Sequence, residues 1–198
     1  MMKTLLIVDP QIDFMPGGQL AIPEGNEIIQ PINAIIYNYD LVVATQDWHP
    51  EHHISFAENH TQKQAFESIQ LPNGASQNLW PSHCVQGEIG AEFHPELNTK
   101  PIEAIFRKGL NPQIDSYSGF FDNLKQKDTG LSGYLKAKGV IEFDICGLAG
   151  DICVYFTIKD ALEFGFKVNL IEAATKALNL TTYNQQKTEL HSLGVKYQ

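Results

Sequence analysis

The sequence predicts an α/β fold, a doubly wound and mainly parallel β-sheet flanked by helices on both faces. Several short apolar runs are hydrophobic at both odd and even positions, which is typical of strands that are covered on both faces. These runs alternate with stretches of helical periodicity, and strand–helix–strand alternation is the pattern of doubly wound α/β proteins. The predicted strands cover residues 4–8, 41–45, 104–106, 141–146 and 167–171.

Three stretches between these strands predict helices. The first, residues 27–39, has apolar residues at helical spacing after Pro23-Glu24-Gly25. The second covers residues 131–138 and the third residues 152–164. Each of the last two is followed by a glycine, a residue that commonly caps the C-terminus of a helix.

One connection, at about residues 46–100, interrupts this alternation. It contains no convincing strand, yet it holds six of the 7 histidines and both of the 2 tryptophans. Connections of this length are uncommon inside a compact domain and are usually functional. Because the chain shows no repeats and no linker-like composition, we predict a single domain over residues 1–198.

Composition and charge exclude several classes of protein. The 198 residues are 43% hydrophobic and 19% charged, as in folded globular domains. The net charge of -9 argues against binding to nucleic acid or to a membrane surface. No apolar run approaches the ~18 residues of a membrane-spanning helix, and no secretory signal is visible. Three cysteines without a C-x-x-C pair favour a reducing compartment, so we expect a cytoplasmic protein.

Reactive side chains follow the ends of the predicted strands. Asp9 follows the first strand, Asp47 and His49 the second, Lys108 the third and Cys153 the fourth. In open α/β sheets, ligands bind beyond the carboxyl ends of the strands. We therefore expect an acid, two metal-ligand types, a cation and a thiol to meet at one edge of the sheet.

Cys153 is the candidate nucleophile because it opens the third predicted helix. The positive end of a helix lowers the pKa of a thiol, and its free backbone N–H groups are suited to hold an oxyanion. The alternative is a small buried cysteine that only packs between its neighbours. Cys146 lies inside a strand, and Cys84 is a weaker candidate because it and His83 would point to opposite faces of extended chain.

Asp9 is the candidate general base for this thiol, and Lys108 the cation that would keep the carboxylate ionised. Asp9 could instead be a hydrogen-bonded turn residue, and Asp13 competes for its role although it resembles a turn or helix cap. Lys108 could be a solvated surface lysine. Arg107 has the alternative role of a structural ion-pair partner.

The spacing Asp47-x-His49 predicts two metal ligands, because side chains two residues apart lie on one face of extended chain. His83 is the most plausible third ligand, and His53 is either a fourth contact or an outer group. An Asp/His/His set suits one divalent ion such as Zn²⁺, Fe²⁺ or Mn²⁺. The other histidines are interpreted as ordinary surface or core residues.

Six separate blocks of this sequence resemble the nicotinamidase branch of the isochorismatase-like cysteine hydrolases. They are LIVDPQIDF at residues 6–14 with Gly17-Gly18, TQDWHP at 45–50 with HISF at 53–56, LWPSHCVQG at 79–87, FRKG at 106–109, SYSGF at 116–120 and GLAGDICV at 147–154. The resemblance covers nearly the whole chain. It implies an isochorismatase-like fold over the predicted domain.

The same resemblance assigns roles to particular residues. It implies a catalytic triad of Asp9, Lys108 and Cys153, and a metal held by Asp47, His49 and His83. It implies a cis peptide between Leu148 and Ala149, with the N–H groups of Ala149 and Cys153 forming an oxyanion hole. It also implies that Phe14, Trp80 and Tyr117 line a pocket for a pyridine ring, which suits aromatic faces.

The resemblance implies an activity as well. The enzyme would hydrolyse nicotinamide to nicotinate and ammonia through a thioester, in NAD salvage, and would also accept pyrazinamide. Zn²⁺ is the favoured ion, with Fe²⁺ or Mn²⁺ open. The alternatives are another amidase or N-carbamoyl hydrolase of the same superfamily and, from a different class, a non-catalytic ligand-binding protein. The sequence leaves open whether the chain forms a homo-oligomer.

Overall fold

The structure, a computed structural model, describes residues 2–72 and 74–198. Its strands are β1 (Thr4–Val8), β2 (Leu41–Asp47), β3 (Ser68–Gln70), β4 (Ser76–Asn78), β5 (Ile102–Lys108), β6 (Glu142–Gly147), β7 (Lys167–Thr175) and β8 (Lys196–Tyr197). Its α-helices are α1 (Ile29–Ile35), α2 (Leu131–Ala137), α3 (Cys153–Glu163) and α4 (Leu180–Ser192). Short 3₁₀ turns precede and follow α1 and punctuate the loops.

Six of the strands form the central sheet, in the order β5-β2-β1-β6-β7-β8. Every neighbouring pair in this sheet is parallel. The remaining strands, β3 and β4, pair with each other in a small antiparallel hairpin. The predicted α/β fold with a parallel sheet is therefore confirmed.

Two apolar cores lie on the two faces of the sheet. In β1, Leu5 and Ile7 belong to one core and Leu6 and Val8 to the other, because successive side chains of a strand point to opposite faces. Helix α1 contributes to the first core, and helices α2, α3 and α4 contribute to the second. The sheet is thus covered on both sides, which explains why a strand such as β1 is apolar at both odd and even positions.

The first predicted helix is interrupted. Residues 27–39 contain the end of one 3₁₀ turn, Gly25–Ile28, then α1, then a second 3₁₀ turn, Ile36–Asn38. Pro31 lies in the first turn of α1, where its missing N–H group and rigid ring favour a helix start over a continuous helix. The predicted helices at 131–138 and 152–164 are confirmed to within one residue at each end.

Two parts of the fold differ from the expectation. The 46–100 connection was predicted to lack strands, but it contains the hairpin β3–β4. The six residues of these two strands are mostly polar and do not show the alternation of apolar and polar residues that predicts a strand. Helix α4 and strand β8 were not predicted. Helix α4 buries only Tyr183 and Leu190, so its apolar stripe is too thin to stand out in the sequence.

The parallel arrangement brings the ends of four strands together. Val8, at the end of β1, pairs with Gly147, at the end of β6. On the other side of β1, Asp47 at the end of β2 pairs with Lys108 at the end of β5. The residues that follow these strands therefore share one edge of the sheet. In the part of the chain described, no helix has both the length and the apolar character needed to cross a membrane.

Candidate active site

Asp9, Lys108 and Cys153 meet at the carboxyl edge of the sheet. The Nζ atom of Lys108 lies 2.9 Å from Oδ2 of Asp9 and 3.5 Å from Sγ of Cys153. All three side chains are buried, Asp9 with 0% and Lys108 with 1% of the residue exposed. Lys108 is therefore not a surface lysine, and Cys153 faces a cation and a carboxylate as well as its apolar neighbours.

Each of the three residues stands at the end of an element. Asp9 follows β1 with a φ of 47°, a left-handed conformation that turns the chain out of the sheet. Lys108 is the last residue of β5, and Cys153 is the first residue of α3. The ends of β1, β5 and α3 thus determine the position of each of these side chains.

Lys108 also bridges to a second carboxylate. Its Nζ atom donates to Oδ1 of Asp47 at 2.8 Å and to the backbone oxygen of Ser116 at 3.2 Å. Burial alone would lower the pKa of Lys108, but the charges of Asp47 and Asp9 outweigh it and hold that pKa well above its ordinary value. The ammonium therefore stays charged between two carboxylates.

Asp9 and Cys153 are shifted in the same direction. Burial raises the pKa of Asp9 above its ordinary value, although Lys108 opposes the shift. Burial likewise raises the pKa of Cys153 well above its ordinary value, again opposed by Lys108. The lowered thiol pKa expected from the helix N-terminus is therefore wrong. Burial outweighs the charge of Lys108, so the resting thiol keeps its proton and needs a base to become a nucleophile.

Asp47, His49 and His83 form a second cluster beside the first. The Nε2 atom of His49 lies 3.2 Å from Oδ2 of Asp47, and that of His83 lies 3.7 Å from the same oxygen. Candidate ligand atoms of the three residues all lie within 4.8 Å of one another, and all three residues are buried. This is the arrangement that one divalent ion would take.

Hydrogen bonds with backbone carbonyl groups fix the orientation of the imidazole rings of His49 and His83. Nδ1 of His49 lies 3.1 Å from the oxygen of Gly109, and Nδ1 of His83 lies 2.8 Å from the oxygen of Pro81. Because a carbonyl only accepts, each Nδ1 carries a proton, and each Nε2 is directed towards Asp47. Burial opposes protonation of His49, but the charge of Asp47 outweighs it and raises that pKa. The position between them attracts positive charge, so the donor set fits a divalent cation.

Gly109 makes room for this arrangement. Its φ is +71°, and a Cβ atom built there would lie 2.3 Å from Cε1 of His49. Any other residue would push the imidazole away from Asp47. The glycine directly after Lys108 is thus required by the ring packed on it.

A cavity lies beside the two clusters. Its lining includes the predicted aromatic residues Phe14, Trp80 and Tyr117, together with Cys153 and Ala149. Asp47, His49 and His83 also line it. The cavity is therefore lined by a thiol, two imidazoles, carboxylates and aromatic rings.

The turn before α3 contains the expected cis peptide, between Leu148 and Ala149. Among the described residues, the N–H groups of Ala149 and Cys153 donate to no acceptor of the protein. Two backbone donors thus remain free in residues that line the cavity.

Comparison with known proteins identifies the family of this fold. The isochorismatase domain model matches residues 3–196. The chain belongs to the isochorismatase family. Within it, the nicotinamidase of Acinetobacter baylyi is 48% identical over 176 residues, which are 89% of this chain and 82% of that relative.

Solved structures of the isochorismatase family have the same fold as this chain. The Acinetobacter baumanii nicotinamidase pyrazinamidase has a TM-score of 0.94 and 45% identity, with 98% of this chain and 94% of that chain covered. The pyrazinamidase of Pyrococcus horikoshii, solved in complex with zinc, has a TM-score of 0.82 and 37% identity, with 100% and 99% covered. Both relatives match this chain over nearly its whole length.

The alternative candidates in this isochorismatase-family chain have other partners. The carboxylate of Asp13 accepts hydrogen bonds from the N–H groups of Cys84 and Gln19, as a turn residue does. Arg107 donates to the side chain of Gln46 and lies 3.8 Å over the ring of Trp48. Neither approaches the thiol of Cys153.

His53 lies next to the cluster, with its ring centroid 4.2 Å from that of His49. Its Nδ1 is 2.7 Å from Oγ of Ser55, and its Nε2 atom is buried with no partner among the described residues. Burial lowers the pKa of His53 to about 4, helped by the nearby charge of His49. A role for His53 as a fourth ligand stays a prediction.

Sequence reasoning missed two residues of this family site. Gln11 is fully buried and holds the backbone of Asp47 with two hydrogen bonds. Its Nε2 atom donates to the backbone oxygen of Asp47 at 2.7 Å, and its Oε1 atom accepts from the backbone N–H group of Asp47 at 2.7 Å. Asp115 lines the cavity, and its carboxylate lies within 4.8 Å of ligand atoms of His49 and His53. The position of Gln11 two residues after Asp9 was the only signal available for it, and Asp115 sits in a polar stretch that reads as an ordinary turn.

Proposed function

We propose that this protein hydrolyses nicotinamide to nicotinate and ammonia, with Cys153 as the nucleophile. The observation that supports this most directly is that one cavity is lined by the thiol of Cys153, by an Asp/His/His cluster and by three aromatic rings. The same thiol lies next to the ammonium of Lys108, which in turn contacts the carboxylate of Asp9. The nicotinamidase and pyrazinamidase relatives support the same substrate class. Pyrazinamide is therefore proposed as a second substrate.

The first half of the reaction forms a thioester. Sγ of Cys153 attacks the carboxamide carbon while Asp9 takes the proton of the thiol. The resulting oxyanion accepts hydrogen bonds from the N–H groups of Ala149 and Cys153. Asp9 then returns the proton to the nitrogen, the C–N bond breaks, and ammonia leaves.

The second half regenerates the enzyme. Water attacks the thioester carbon and gives a proton to Asp9, and the C–S bond breaks. The proton passes from Asp9 to the departing sulfur, and the product acid loses its own proton to solvent and leaves as nicotinate. Lys108 is assigned to hold both Asp9 and the sulfur in place, because its Nζ atom contacts both.

Asp47, His49 and His83 are proposed to hold one divalent ion. When bound, the ion supplies a Lewis-acidic point that orients the pyridine nitrogen. Zn²⁺ is favoured because imidazole and carboxylate ligands suit it and because the Pyrococcus horikoshii relative is in complex with zinc. Fe²⁺ and Mn²⁺ suit the same donor set. Phe14, Trp80 and Tyr117 are assigned to pack on the ring.

The proposed reaction supplies nicotinate for NAD salvage. The cysteines Cys84, Cys146 and Cys153 are all unpaired thiols. Free thiols are typical of reducing compartments, and this supports the proposed cytoplasmic location. Formation of a homo-oligomer stays a prediction.

The test is ammonia release from nicotinamide, measured beside N-carbamoyl amides with the same protein. We expect ammonia from nicotinamide and pyrazinamide, and loss of that activity after chelation of the bound metal. Release of ammonia only from the N-carbamoyl compounds would favour the alternative hydrolase. No ammonia from any amide would support a non-catalytic binding protein.

A further inference from the structure

We propose that Asp115 is a positioning residue that holds the aromatic walls of the cavity, Trp80 and Tyr117, against each other. Its carboxylate joins the hairpin β3–β4 to the segment that carries Tyr117. This inference rests on the proposed function, since the walls matter only if a ring binds between them. It concerns a residue that contacts neither the thiol of Cys153 nor the ammonium of Lys108.

One end of this connection is in the hairpin. The side-chain nitrogen of Gln77, in β4, donates to Oδ2 of Asp115 at 2.9 Å across 38 positions of sequence. The same nitrogen also donates to the backbone oxygen of Asn78 at 2.7 Å, which fixes its direction. Gln77 is only 4% exposed, so water does not compete freely for this bond. Trp80 follows β4 by two residues, so the bond restrains the strand that leads into it.

The other end is in the segment of residues 115–117. The N–H group of Ser116 donates to Oδ1 of Asp115 at 2.8 Å, and the N–H group of Asn123 donates to the backbone oxygen of Asp115 at 2.8 Å. The backbone oxygen of Ser116 accepts from Lys108, and Tyr117 follows directly. The carboxylate therefore orders a turn that touches the candidate triad and supplies one wall.

The two walls meet edge to face. The rings of Trp80 and Tyr117 have centroids 6.3 Å apart and an interplanar angle of 78°. Burial raises the pKa of the Tyr117 hydroxyl, and the charge of Asp115 adds to the shift. The hydroxyl therefore stays protonated beside the carboxylate. Restraining both segments through one side chain preserves this edge-to-face geometry.

A carboxylate is required because two donors must be accepted at once. Oδ1 receives the N–H group of Ser116, and Oδ2 receives the amide of Gln77. Asparagine has a single acceptor oxygen on its side chain, and its NH₂ group would face a donor. Asp115 is only 3% exposed, so a donor that lacks an acceptor at this position cannot bond to bulk water instead.

The test is steady-state kinetics of Asp115→Asn in the zinc-loaded protein, with metal content measured for every variant. We expect the KM for nicotinamide to rise about tenfold, the effect of losing about one buried hydrogen bond, while kcat changes by less than about threefold.

Asp122→Asn is the matched control. Asp122 is a buried carboxylate in the same loop, and its Oδ1 accepts from the N–H groups of Leu124 and Gln126, but it does not line the catalytic cavity. Its substitution should leave the KM unchanged. If Asp115→Asn does not fold, Gln77→Ala removes the bond from the hairpin side and should raise the KM in the same way.

A second measurement is independent of activity. In a Trp48→Phe background, Trp80 is the remaining tryptophan, and acrylamide quenching of its fluorescence should increase in Asp115→Asn. If the wild-type protein released no ammonia, the proposed function would fail while this measurement still tested the connection. An unchanged KM together with unchanged quenching in Asp115→Asn would overturn the inference.

Discussion

The ammonium of Lys108 and the carboxylate of Asp47 form a direct ion pair, with Nζ 2.8 Å from Oδ1. Lys108 belongs to the candidate triad and Asp47 to the candidate metal cluster. The same ammonium lies 2.9 Å from Asp9. The candidate triad and the candidate metal cluster are therefore joined by one buried cation. A change in the charge of either cluster alters the electrostatic environment of the other.

Replacement of the nucleophile should abolish turnover without disturbing the fold. We expect Cys153→Ala to lower kcat by about 10⁴-fold or more, because no other thiol lines the cavity in the described part of the chain. Ammonia release and circular dichroism measure the two effects. Cys146→Ala is the control, since Cys146 is buried in β6 away from the cavity. Near-normal activity of Cys153→Ala would refute the assignment.

Replacement of Lys108 should damage stability as well as activity. In Lys108→Met, the carboxylates of Asp9 and Asp47 lose their shared cation while they remain buried. Leaving a buried charge uncompensated costs about 3–5 kcal/mol, so the free energy of unfolding in urea should fall by that amount. Lys63→Met, which removes an exposed pair with Glu67, should change it by less than about 1 kcal/mol. Equal stability of the two variants would contradict the buried network.

Removal of an imidazole should reduce metal content and substrate binding together. His83→Ala deletes one of the three candidate ligands, so we expect less metal per chain by elemental analysis and a higher KM for nicotinamide. His60→Ala is the matched control, because Nε2 of His60 bonds the oxygen of Ile54 outside the cluster. Unchanged metal content in His83→Ala would exclude this ligand set.

A methyl group at residue 109 should displace a ligand. Gly109→Ala forces a left-handed residue and places Cβ against His49, whereas Gly139→Ala has a similar φ of +75° and nothing within 4 Å. Both variants should lose about 1–2 kcal/mol of stability from the backbone alone. Only Gly109→Ala should also lose metal affinity, measured by competition with a chelator. Equal metal affinity of the two variants would show that the ring tolerates the contact.

The acid limb of the pH profile should report on Asp9. The base must be ionised to take the thiol proton, and burial raises its pKa above the ordinary value of 3.8. Activity should therefore fall, as the pH is lowered, at a pH above that value. The profile of kcat/KM measures this limb, with metal content followed across the same range. An acid limb that tracks metal loss alone would assign it to the imidazoles instead.

The sheet could be predicted from sequence because its strands are buried on both faces. A run such as Leu5–Val8 is apolar at every position, and that signal does not depend on distant residues. The hairpin β3–β4 and helix α4 lacked this signal because they bury few apolar side chains. Their positions depend on contacts with the rest of the molecule.

The sequence by itself determined which residues leave the ends of the strands, and so which groups share one edge of the sheet. Only the tertiary structure decided their protonation and their partners. The pKa of Cys153 is raised because burial outweighs the charge of Lys108, and no local sequence pattern reports burial of that kind. Asp115 acquires its partner Gln77 only when the chain folds, since a hydrogen bond between positions 38 apart depends on the path of both loops.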